Sequence, residues 1–364
     1  MKKIMVVHNE GNLNVNPNLA GIVENLCEQG YQVHYYCRRL QGVPQTASHA
    51  GLTYVFVEKG QLRLIDKYSL VIGVDRDGII SAALVARQLG VPYGLISYEI
   101  FFSDETGAEF KLPEITACAN VRFAVCQGRE RSRHLASENR IPLDKLIDIP
   151  VAGRRVRRGA RNNMLHATFG LSPETKIALY IGSVVSQWAM VDDLIRNAQN
   201  WDDDWALVLH NRYGDHNLLR LRQRHQGAAR VHFTPQSGLS FKALQALVQS
   251  ADLGIALYRP TFANVYEGNN LKYLGLSSGK IATYLQHGVP VVVNDIGEMS
   301  KHIDECRLGI HIHSLDELPA RLRAADRTVI DGWRENCYRF FEKELDLDNR
   351  IGPLLDAIKA CLSN

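Results

Sequence analysis

A short run of small and hydroxyl-bearing residues precedes a predicted helix in the second half of the chain. Gly275, Ser277, Ser278 and Gly279 lead into Lys280, where an apolar pattern of helical spacing begins. The start of a helix presents unpaired backbone N–H groups and the positive end of its dipole, and glycines let an anion approach closely. With two hydroxyls and an ammonium group, this turn is suited to binding phosphate. A serine N-cap followed by an exposed lysine is the competing interpretation.

Two loops in the first half carry polar residues directly after predicted strands. Ligands of α/β sheets bind beyond the carboxyl ends of the strands, so these loops are candidates for a binding site. A carboxylate desolvated there has its pKa raised towards neutrality, which suits a general base, whereas an exposed surface glutamate is the alternative. The residues in these positions are Asn9, Gly11 and Asn12 after the first strand, and Tyr98 and Glu99 after the strand at Tyr93–Ser97.

Both sets of residues lie on predicted elements that alternate in type. Short apolar strands alternate with helical patterns from Ile4 onwards, and the alternation restarts at Lys176, which is typical of βαβ units and a parallel sheet. We therefore predict an α/β fold with two Rossmann-like domains, residues 1–155 and 165–344, facing each other across a cleft. The helical segment 345–364 is expected to pack back on the first domain.

The composition is that of an ordinary globular protein. Of 364 residues, 46% are hydrophobic and 22% are charged, and the net charge of +3 is too small to indicate nucleic-acid binding. The seven cysteines are scattered, and the 13 histidines show no paired zinc spacing, although His311 and His313 lie two apart on a probable strand. These features predict a reducing environment and no metal bound by side chains.

Targeting signals are also missing from the sequence. No signal peptide is recognisable, and no apolar run approaches the roughly 20 residues that cross a bilayer. We expect a cytoplasmic protein, or one peripheral at the inner face of the membrane. The basic stretch Arg154–Arg161 allows contact with anionic lipid headgroups, but a solvated loop between domains is the favoured interpretation. No G-x-G-x-x-G motif supports a dinucleotide cofactor.

The stretch Asn270–Val293 resembles the donor-binding region of glycosyltransferases with the B-type fold (GT-B), particularly the family 4-like group. In those enzymes a Gly/Ser-rich turn opens a helix that ends at a Gly-x-Pro-Val-Val strand, matched here by Gly275–Lys280 and Gly288–Val292. Weaker matches occur in the same order elsewhere, and they include Lys176–Gly182, Leu244–Leu257 and the pair Gly297-Glu298.

The resemblance implies transfer of a sugar from a nucleotide-sugar donor to a hydroxyl acceptor, in surface polysaccharide or glycolipid synthesis. The turn that ends at Lys280 would bind the donor diphosphate, and Glu99 with Tyr98 would act at the reacting sugar or the acceptor. Because the nucleotide-sugar is a substrate, no cofactor and no metal are expected. The other donor-binding candidates are Thr283, Arg212, Glu267 and Glu298. As alternatives, Arg212 is an arginine of an exposed turn, Glu267 is a solvated loop acid, and Glu298 caps a helix.

The chain departs from the family pattern at two points. The glutamate that usually binds the ribose just inside the donor helix is replaced by Thr283, and no cation follows Gly182, where an arginine and a lysine usually reach the diphosphate. Two alternatives to the transferase therefore stay open. One is a non-hydrolysing nucleotide-sugar epimerase of the same architecture, and the other is a non-catalytic binding subunit.

Overall fold

The computed structural model describes residues 1–9, 11, 13, 16–39, 45, 47–58, 62–184, 186–212 and 216–363. It divides into two compact units. Unit 1 comprises Met1–Arg155, Asn264–Tyr266 and Glu344–Asn364, and unit 2 comprises Val156–Ala263 and Glu267–Lys343. Each unit contains one parallel sheet with helices between most successive strands, which confirms the predicted α/β class.

The sheet of unit 1 has the strand order β3-β2-β1-β4-β5-β6-β7. Its register is defined at Ile4, which lies opposite Val33 on one side and Leu70 on the other. Most strand residues are buried apolar residues, as expected for a parallel sheet covered on both faces. The strands are β1 (Lys3–Val7), β2 (Gln32–Cys37), β3 (Leu52–Phe56), β4 (Leu70–Val74), β5 (Tyr93–Ile96), β6 (Ala124–Cys126) and β7 (Leu146–Asp148).

The sheet of unit 2 has the order β10-β9-β8-β11-β12-β13. This repeats the Rossmann order. Strands are added first on one side of the first strand and then on its other side, and the change of side leaves a crevice there. The corresponding points are β1/β4 in unit 1 and β8/β11 in unit 2. The strands are β8 (Lys176–Gly182), β9 (Trp205–Asn211), β10 (Val231–Phe233), β11 (Leu253–Ala256), β12 (Val291–Val293) and β13 (Gly309–His311).

The helices connect these strands and cover both sheets. In chain order they are α1 (Pro17–Glu28), α2 (Asp75–Leu89), α3 (Ser103–Thr106), α4 (Ala108–Cys118), α5 (Gly128–Asn139), α6 (Met164–Phe169), α7 (Ser186–Ala189), α8 (Val191–Ala198), α9 (His216–Arg224), α10 (Phe241–Gln249), α11 (Asn269–Lys272), α12 (Gly279–Gln286), α13 (Glu298–Cys306), α14 (Leu318–Arg323), α15 (Arg327–Phe340), α16 (Leu347–Arg350) and α17 (Gly352–Ser363). None of the helices in the described ranges has both the length and the apolarity required to cross a bilayer.

The last two helices complete the core of unit 1. Leu347, Ile351, Leu354, Ile358 and Leu362 are buried in one cluster with residues of α1 and of the central strands. Leu354, Ile358 and Leu362 are four residues apart and lie on one face of α17. The core of unit 1 is therefore built from both ends of the chain.

Helix α2 begins earlier than the sequence suggests. Asp75–Gly78 contains two aspartates and a glycine, which favour a turn, and the apolar helical pattern starts only at Ile79. In the structure α2 starts at Asp75, which has a φ of 54° and directly follows β4. Gly78 permits this close packing, because a Cβ atom there would lie 2.5 Å from the carbonyl oxygen of Val7. The first turn of α2 thus lies against the end of β1.

Two glycine-to-alanine substitutions are expected to act in opposite directions. Gly78→Ala forces Cβ against the Val7 carbonyl and should destabilise unit 1 by about 1–3 kcal/mol. Gly332→Ala lies in the exposed part of α15 with no atom within 4 Å of its added Cβ, and should stabilise the protein by about 0.5–1 kcal/mol. Urea denaturation of both variants measures these changes, and equal effects would contradict the close contact at Gly78.

The basic stretch between the units is largely neutralised by acidic partners. It has no helix or strand over residues 152–163. Its arginines form ion pairs at 2.5–3.2 Å: Arg154 with Glu28 and Asp348, Arg158 with Glu335 and Glu342, and Arg161 with Asp252. These pairs favour the interpretation of a loop over that of a lipid-binding segment.

Candidate functional site

The crevice of unit 1 is a pocket at the carboxyl ends of β1, β4 and β5. Its wall includes His8, Asn9, Asp75, Asp77, Glu99 and Tyr266. All of these residues belong to unit 1. The pocket therefore brings together the loop after β1, the first turn of α2 and the segment after β5, as expected for the switch point of a parallel sheet.

Asp75 organises one wall of this pocket. Its carboxylate accepts hydrogen bonds from the backbone N–H groups of Tyr98 at 2.6 Å and of Glu99 at 3.0 Å. Burial raises the pKa of Asp75 to about 6, and these two N–H groups oppose the rise because they favour the charged form. Sequence reasoning missed Asp75, although its place directly after a buried strand is the same signal that identified Glu99.

Glu99 lines the pocket and has the properties of a general base. Its place in the pocket wall makes it accessible to a ligand. Burial raises the pKa of Glu99 to about 7; the positive charge of Arg131 opposes this shift, and the charge of Asp75 adds to it. A base with this pKa is deprotonated in a large fraction of molecules near neutral pH.

Arg131 is a buried cation behind these carboxylates, and no sequence pattern distinguishes it from the other arginines of helix α5. The side chain is 1% exposed. Its guanidinium donates hydrogen bonds to the carbonyl oxygen of Tyr98 at 2.8 Å and to Oε1 of Gln127 at 3.3 Å. The Gln127 amide in turn donates to the carbonyl oxygen of Ser97 at 2.6 Å. The segment that carries Glu99 is thus held on both sides.

Tyr98, the partner predicted for Glu99, is directed elsewhere. Its hydroxyl donates to Oδ1 of Asn18 at 2.8 Å, and the Asn18 amide donates to the carbonyl oxygens of Pro150 and Ala152. Tyr98 is not among the residues that line the pocket. Its contacts connect β5 to α1 and to the end of the first domain.

The loop after β1 contributes His8 and Asn9 to the pocket. The Asn9 amide donates to the carbonyl oxygen of Asp77 at 3.2 Å and to the hydroxyl of Ser81 at 3.3 Å, which fastens the loop to α2. Gly11 packs on the His8 ring, since a Cβ atom there would lie within 2 Å of two ring atoms. His8 Nδ1 is 2.7 Å from the Tyr35 hydroxyl, and burial lowers the pKa of His8 to about 4. Asn12 lies outside the described residues.

In unit 2, the predicted donor turn lies at the carboxyl ends of β8, β11 and β12. Ser278 is the N-cap of α12, and its Oγ accepts the N–H of Ile281 at 3.2 Å and lies 2.8 Å from the Tyr258 hydroxyl. Asn294 fixes Tyr258 by accepting its N–H at 2.9 Å and donating to its carbonyl oxygen at 2.7 Å. Sequence reasoning missed Tyr258 and Asn294, although both directly follow predicted strands.

Lys280 has an unusual environment for a lysine. Its Nζ atom is buried and has no hydrogen-bond partner among the described residues. It lies 3.9 Å from the ring centroid of Tyr180 and 5.0 Å from that of Tyr258. Burial lowers the pKa of Lys280 to about 7. The free protein therefore holds a weakly basic amine at the first turn of α12.

Lys280 also lies beside Gly182, after which this chain lacks the cations of the family pattern. A Cβ atom placed on Gly182 would be 3.2 Å from Cε and 3.7 Å from Nζ of Lys280. Gly182 ends β8, and its φ of 127° is one that side-chain-bearing residues rarely adopt. The lysine of α12 thus places its positive charge beside the end of the first strand of unit 2.

The other residues of the turn have structural contacts. Gly275 has a φ of 50° and donates its N–H to the carbonyl oxygen of Ile296 at 2.9 Å. The Ser277 hydroxyl donates to the Leu274 carbonyl at 2.6 Å, and the Thr283 hydroxyl donates to the Gly279 carbonyl at 2.7 Å. Gly279 itself is exposed at the first position of α12.

The three remaining candidates occupy different places in unit 2. Arg212 follows β9 and donates its backbone N–H to the carbonyl oxygen of Gly182 at 3.1 Å, which places it near Lys280. Glu267 accepts the hydroxyl of Thr261 at 2.7 Å within its own loop. Glu298 lies in the first turn of α13, 3.9 Å from His302. The helix dipole stabilises a carboxylate at this position.

Three solved structures share this architecture over nearly the whole chain. HepE of Anabaena in complex with UDP-glucose is 12% identical with a TM-score of 0.75, covering 99% of this chain and 100% of that one. WaaG, a glycosyltransferase involved in lipopolysaccharide biosynthesis, is 13% identical with a TM-score of 0.67, covering 97% and 98%. Sucrose-phosphate synthase from Thermosynechococcus elongatus is 14% identical with a TM-score of 0.68, covering 99% and 100%.

The family comparison concerns unit 2. Residues 199–345 match the family model of the glucosyltransferase 3-like C-terminal domain. No curated protein sequence is significantly similar to the chain. The fold is that of the GT-B glycosyltransferases, as the sequence resemblance predicts. Within this fold, residues 199–345 are similar to a glucosyltransferase 3-like C-terminal domain.

Proposed function

We propose that the chain transfers a sugar from a nucleotide-sugar donor to a hydroxyl acceptor, and that Lys280 binds the donor diphosphate. The observation that carries this proposal is the buried Nζ of Lys280, which has no hydrogen-bond partner in the described chain. A buried charge without a partner is costly, and an anion removes that cost by supplying one. The anion is expected at the start of α12, where the dipole and the free N–H groups of the first turn also favour negative charge.

The surroundings of Lys280 suit a pyrophosphate better than a single carboxylate. Three kinds of donor converge there: the Lys280 ammonium, the hydroxyl groups of Ser278 and Tyr258, and the backbone N–H groups of Gly279 and Lys280 at the start of α12. Negative charge increases on the diphosphate as the sugar bond breaks. Donors fixed in advance around that charge stabilise the transition state more than the ground state.

The acceptor hydroxyl is assigned to the pocket of unit 1. Glu99 takes the proton of the attacking hydroxyl, and the Asp75 and Arg131 contacts keep its segment in place. The proposal requires no metal and no cofactor, because Lys280 and the first turn of α12 supply the positive charge for the leaving group. In this reaction the proton of the hydroxyl passes to Glu99, the sugar is bonded to the acceptor oxygen, and the nucleoside diphosphate leaves from the side of Lys280.

The acceptor class and the location of the protein are part of the same proposal. WaaG is involved in lipopolysaccharide biosynthesis, which supports an acceptor on a surface glycan or a lipid-linked sugar. Such acceptors are assembled at the cytoplasmic face of the membrane, so we infer a cytoplasmic protein that meets the membrane peripherally. The ion pairs of Arg154 and Arg158 argue for a contact surface outside that basic stretch.

Thermal unfolding in the presence of UDP, GDP, CMP and dTDP tests donor binding. One nucleotide class should raise the Tm by several degrees at saturating concentration, and UDP is the first choice because HepE binds UDP. The shift should persist in Lys272→Ala, which removes an exposed lysine of the same unit. If no nucleotide shifts the Tm, the proposal is wrong.

Incubation with the stabilising nucleotide-sugar distinguishes the activities of the same architecture. A transferase converts donor to nucleoside diphosphate faster when a hydroxyl acceptor is added. Conversion of one nucleotide-sugar into another without an acceptor identifies an epimerase instead. Binding without any turnover identifies a non-catalytic subunit and contradicts the role of Glu99.

A further inference from the structure

A cluster of two histidines and an aspartate lies at the edge strand of the unit 2 sheet. Asp295 follows β12, His311 ends β13, and His313 lies two residues further on. One ligand atom from each of the three residues lies within 4.8 Å of the other two. Asp295 and His313 are exposed, whereas the His311 side chain is mostly buried. The cluster is outside the diphosphate and acceptor sites described above.

Both nitrogens of His311 face carboxylates. Nδ1 lies 2.8 Å from Oδ2 of Asp304, and Nε2 lies 2.8 Å from Oδ1 of Asp295. A neutral imidazole carries one N–H, so if Nδ1 donates to Asp304, the lone pair of Nε2 points at another acceptor. His313 adds a further nitrogen, since its Nδ1 lies 3.1 Å from Oδ2 of Asp295. A cation between the three side chains would bind the Nε2 lone pair of His311, the Asp295 carboxylate and the second imidazole.

We propose that Asp295, His311 and His313 bind a divalent transition metal ion, with Zn²⁺ as the best match. Imidazole nitrogen and carboxylate oxygen are ordinary zinc ligands at about 2.0–2.2 Å, and tetrahedral ligands at that distance lie about 3.3 Å from one another. Measured to the single atom Oδ1 of Asp295, the separations from His311 Nε2 and His313 Nδ1 are 2.8 and 3.2 Å, which is close to this spacing, and all three ligand atoms lie within 4.8 Å of one another. Three protein ligands leave the fourth position to water or another ligand.

Asp304 acts as the outer partner of this site. Zinc-bound histidines generally donate their second N–H to a carboxylate or carbonyl, which fixes the tautomer and the ring orientation. The contact between His311 Nδ1 and Asp304 has this form. Asp304 lies in α13 and His311 in β13, so the bond also joins two elements around the site.

A metal at this position would fasten the segment between β12 and α13. Asp295 is preceded by Asn294, which holds Tyr258 through both of its amide atoms, and followed by Ile296, whose carbonyl accepts the N–H of Gly275. Metal binding is therefore expected to stabilise unit 2 through a segment that also supports the donor turn. This inference does not depend on the proposed sugar transfer.

Calorimetric titration of Zn²⁺ into chelator-treated, untagged full-length protein without nucleotide tests the site. We expect one zinc ion per chain and an increase in Tm. His313→Ala and Asp295→Asn should abolish binding at micromolar zinc, and Asp304→Asn should weaken it about 10- to 100-fold. His302→Ala is the control, because it removes a partly exposed histidine of α13 that lies outside the cluster; it should bind zinc like the wild type.

Co²⁺ provides a second readout that does not rely on stability. Cobalt bound to the two imidazoles should show visible absorption bands that disappear in His313→Ala, a change at an exposed residue that leaves the fold intact. The proposal is overturned if the wild type binds neither ion, which would mean that protons alone hold the cluster. Equal binding by the wild type and His313→Ala would overturn it as well.

Discussion

Replacing Lys280 with methionine is expected to weaken binding of the donor nucleotide by about 10- to 150-fold. A hydrogen bond to a charged group contributes about 1.5–3 kcal/mol, and Lys280 is the buried cation at the start of α12. The same substitution should raise the Tm of the free protein by a few degrees. Methionine fills the space beside Tyr180 and Tyr258 without requiring a buried charge.

The pH dependence gives this prediction a definite sign. Burial lowers the pKa of Lys280 in the folded protein to about 7, below the ordinary value of 10.5, so the unfolded chain binds more protons between these two pH values. Wild-type stability therefore gains from rising pH in this range, and Lys280→Met lacks that gain. Because the ammonium form binds diphosphate, donor affinity should fall by up to about tenfold per pH unit above pH 7.

Calorimetric titration of a nucleotide-sugar at several pH values, with wild type and Lys280→Met side by side, measures both effects. Lys272→Ala is the matched control and should follow the wild type. Loss of binding together with a lower Tm would show that Lys280 supports the fold instead of the ligand. A wild-type affinity that does not change with pH would contradict its role as the diphosphate cation.

Glu99→Gln is expected to lower kcat by about 10²- to 10⁴-fold with little change in the donor KM, because the amide cannot accept the proton of the acceptor hydroxyl. Burial raises the pKa of Glu99 to about 7, and the carboxylate is the active form. The wild-type rate should therefore increase with pH and level off above about pH 7. Initial rates across this range measure the effect, and Glu109→Gln, an exposed glutamate of α4, serves as the control.

Asp75→Asn tests how the pocket sets that pKa. Asparagine retains an oxygen that accepts the N–H groups of Tyr98 and Glu99, and it tolerates the φ of 54°. It removes a negative charge that raises the pKa of Glu99. The pH–rate profile should thus shift to lower pH with the maximal rate largely retained. An unchanged profile would show that Asp75 only orients the backbone.

The alternation of strands and helices predicted the fold because buried parallel strands are continuous apolar runs separated by Gly, Asp and Pro. Local sequence reasoning also predicted a donor turn at Gly275–Lys280, and its role in donor binding remains a prediction. Sequence reasoning placed Asp75 in a loop. Helix α2 can start early because Gly78 packs closely against Val7, and this tertiary contact is not visible in the local sequence. Local turn preferences were overridden there by packing between α2 and β1.

The charges of the site were harder to predict for a similar reason. The sequence shows no cation after Gly182, yet Lys280 lies beside that glycine, almost a hundred positions away along the chain. His311 and His313 are recognisable as a pair, but Asp295 joins them through the pairing of β12 with β13. Neither contact follows from spacing in the sequence. The assigned roles of Glu267, Glu298 and Tyr98 remain predictions.

The position of α16 and α17 in unit 1 has a consequence for synthesis on the ribosome. The strands of this unit are translated first, but the apolar surface that Leu347, Ile351 and Leu354 cover stays exposed until almost the whole chain has been made. Unit 2 is built from Val156–Ala263 and Glu267–Lys343, all of which are translated before α16 and α17. We therefore expect unit 1 to complete its folding only after α16 and α17 have been made, in contrast to the usual N-terminal-first order. A released chain that is truncated after residue 343 is expected to retain unit 2 and to expose the apolar surface of unit 1 that α16 and α17 cover.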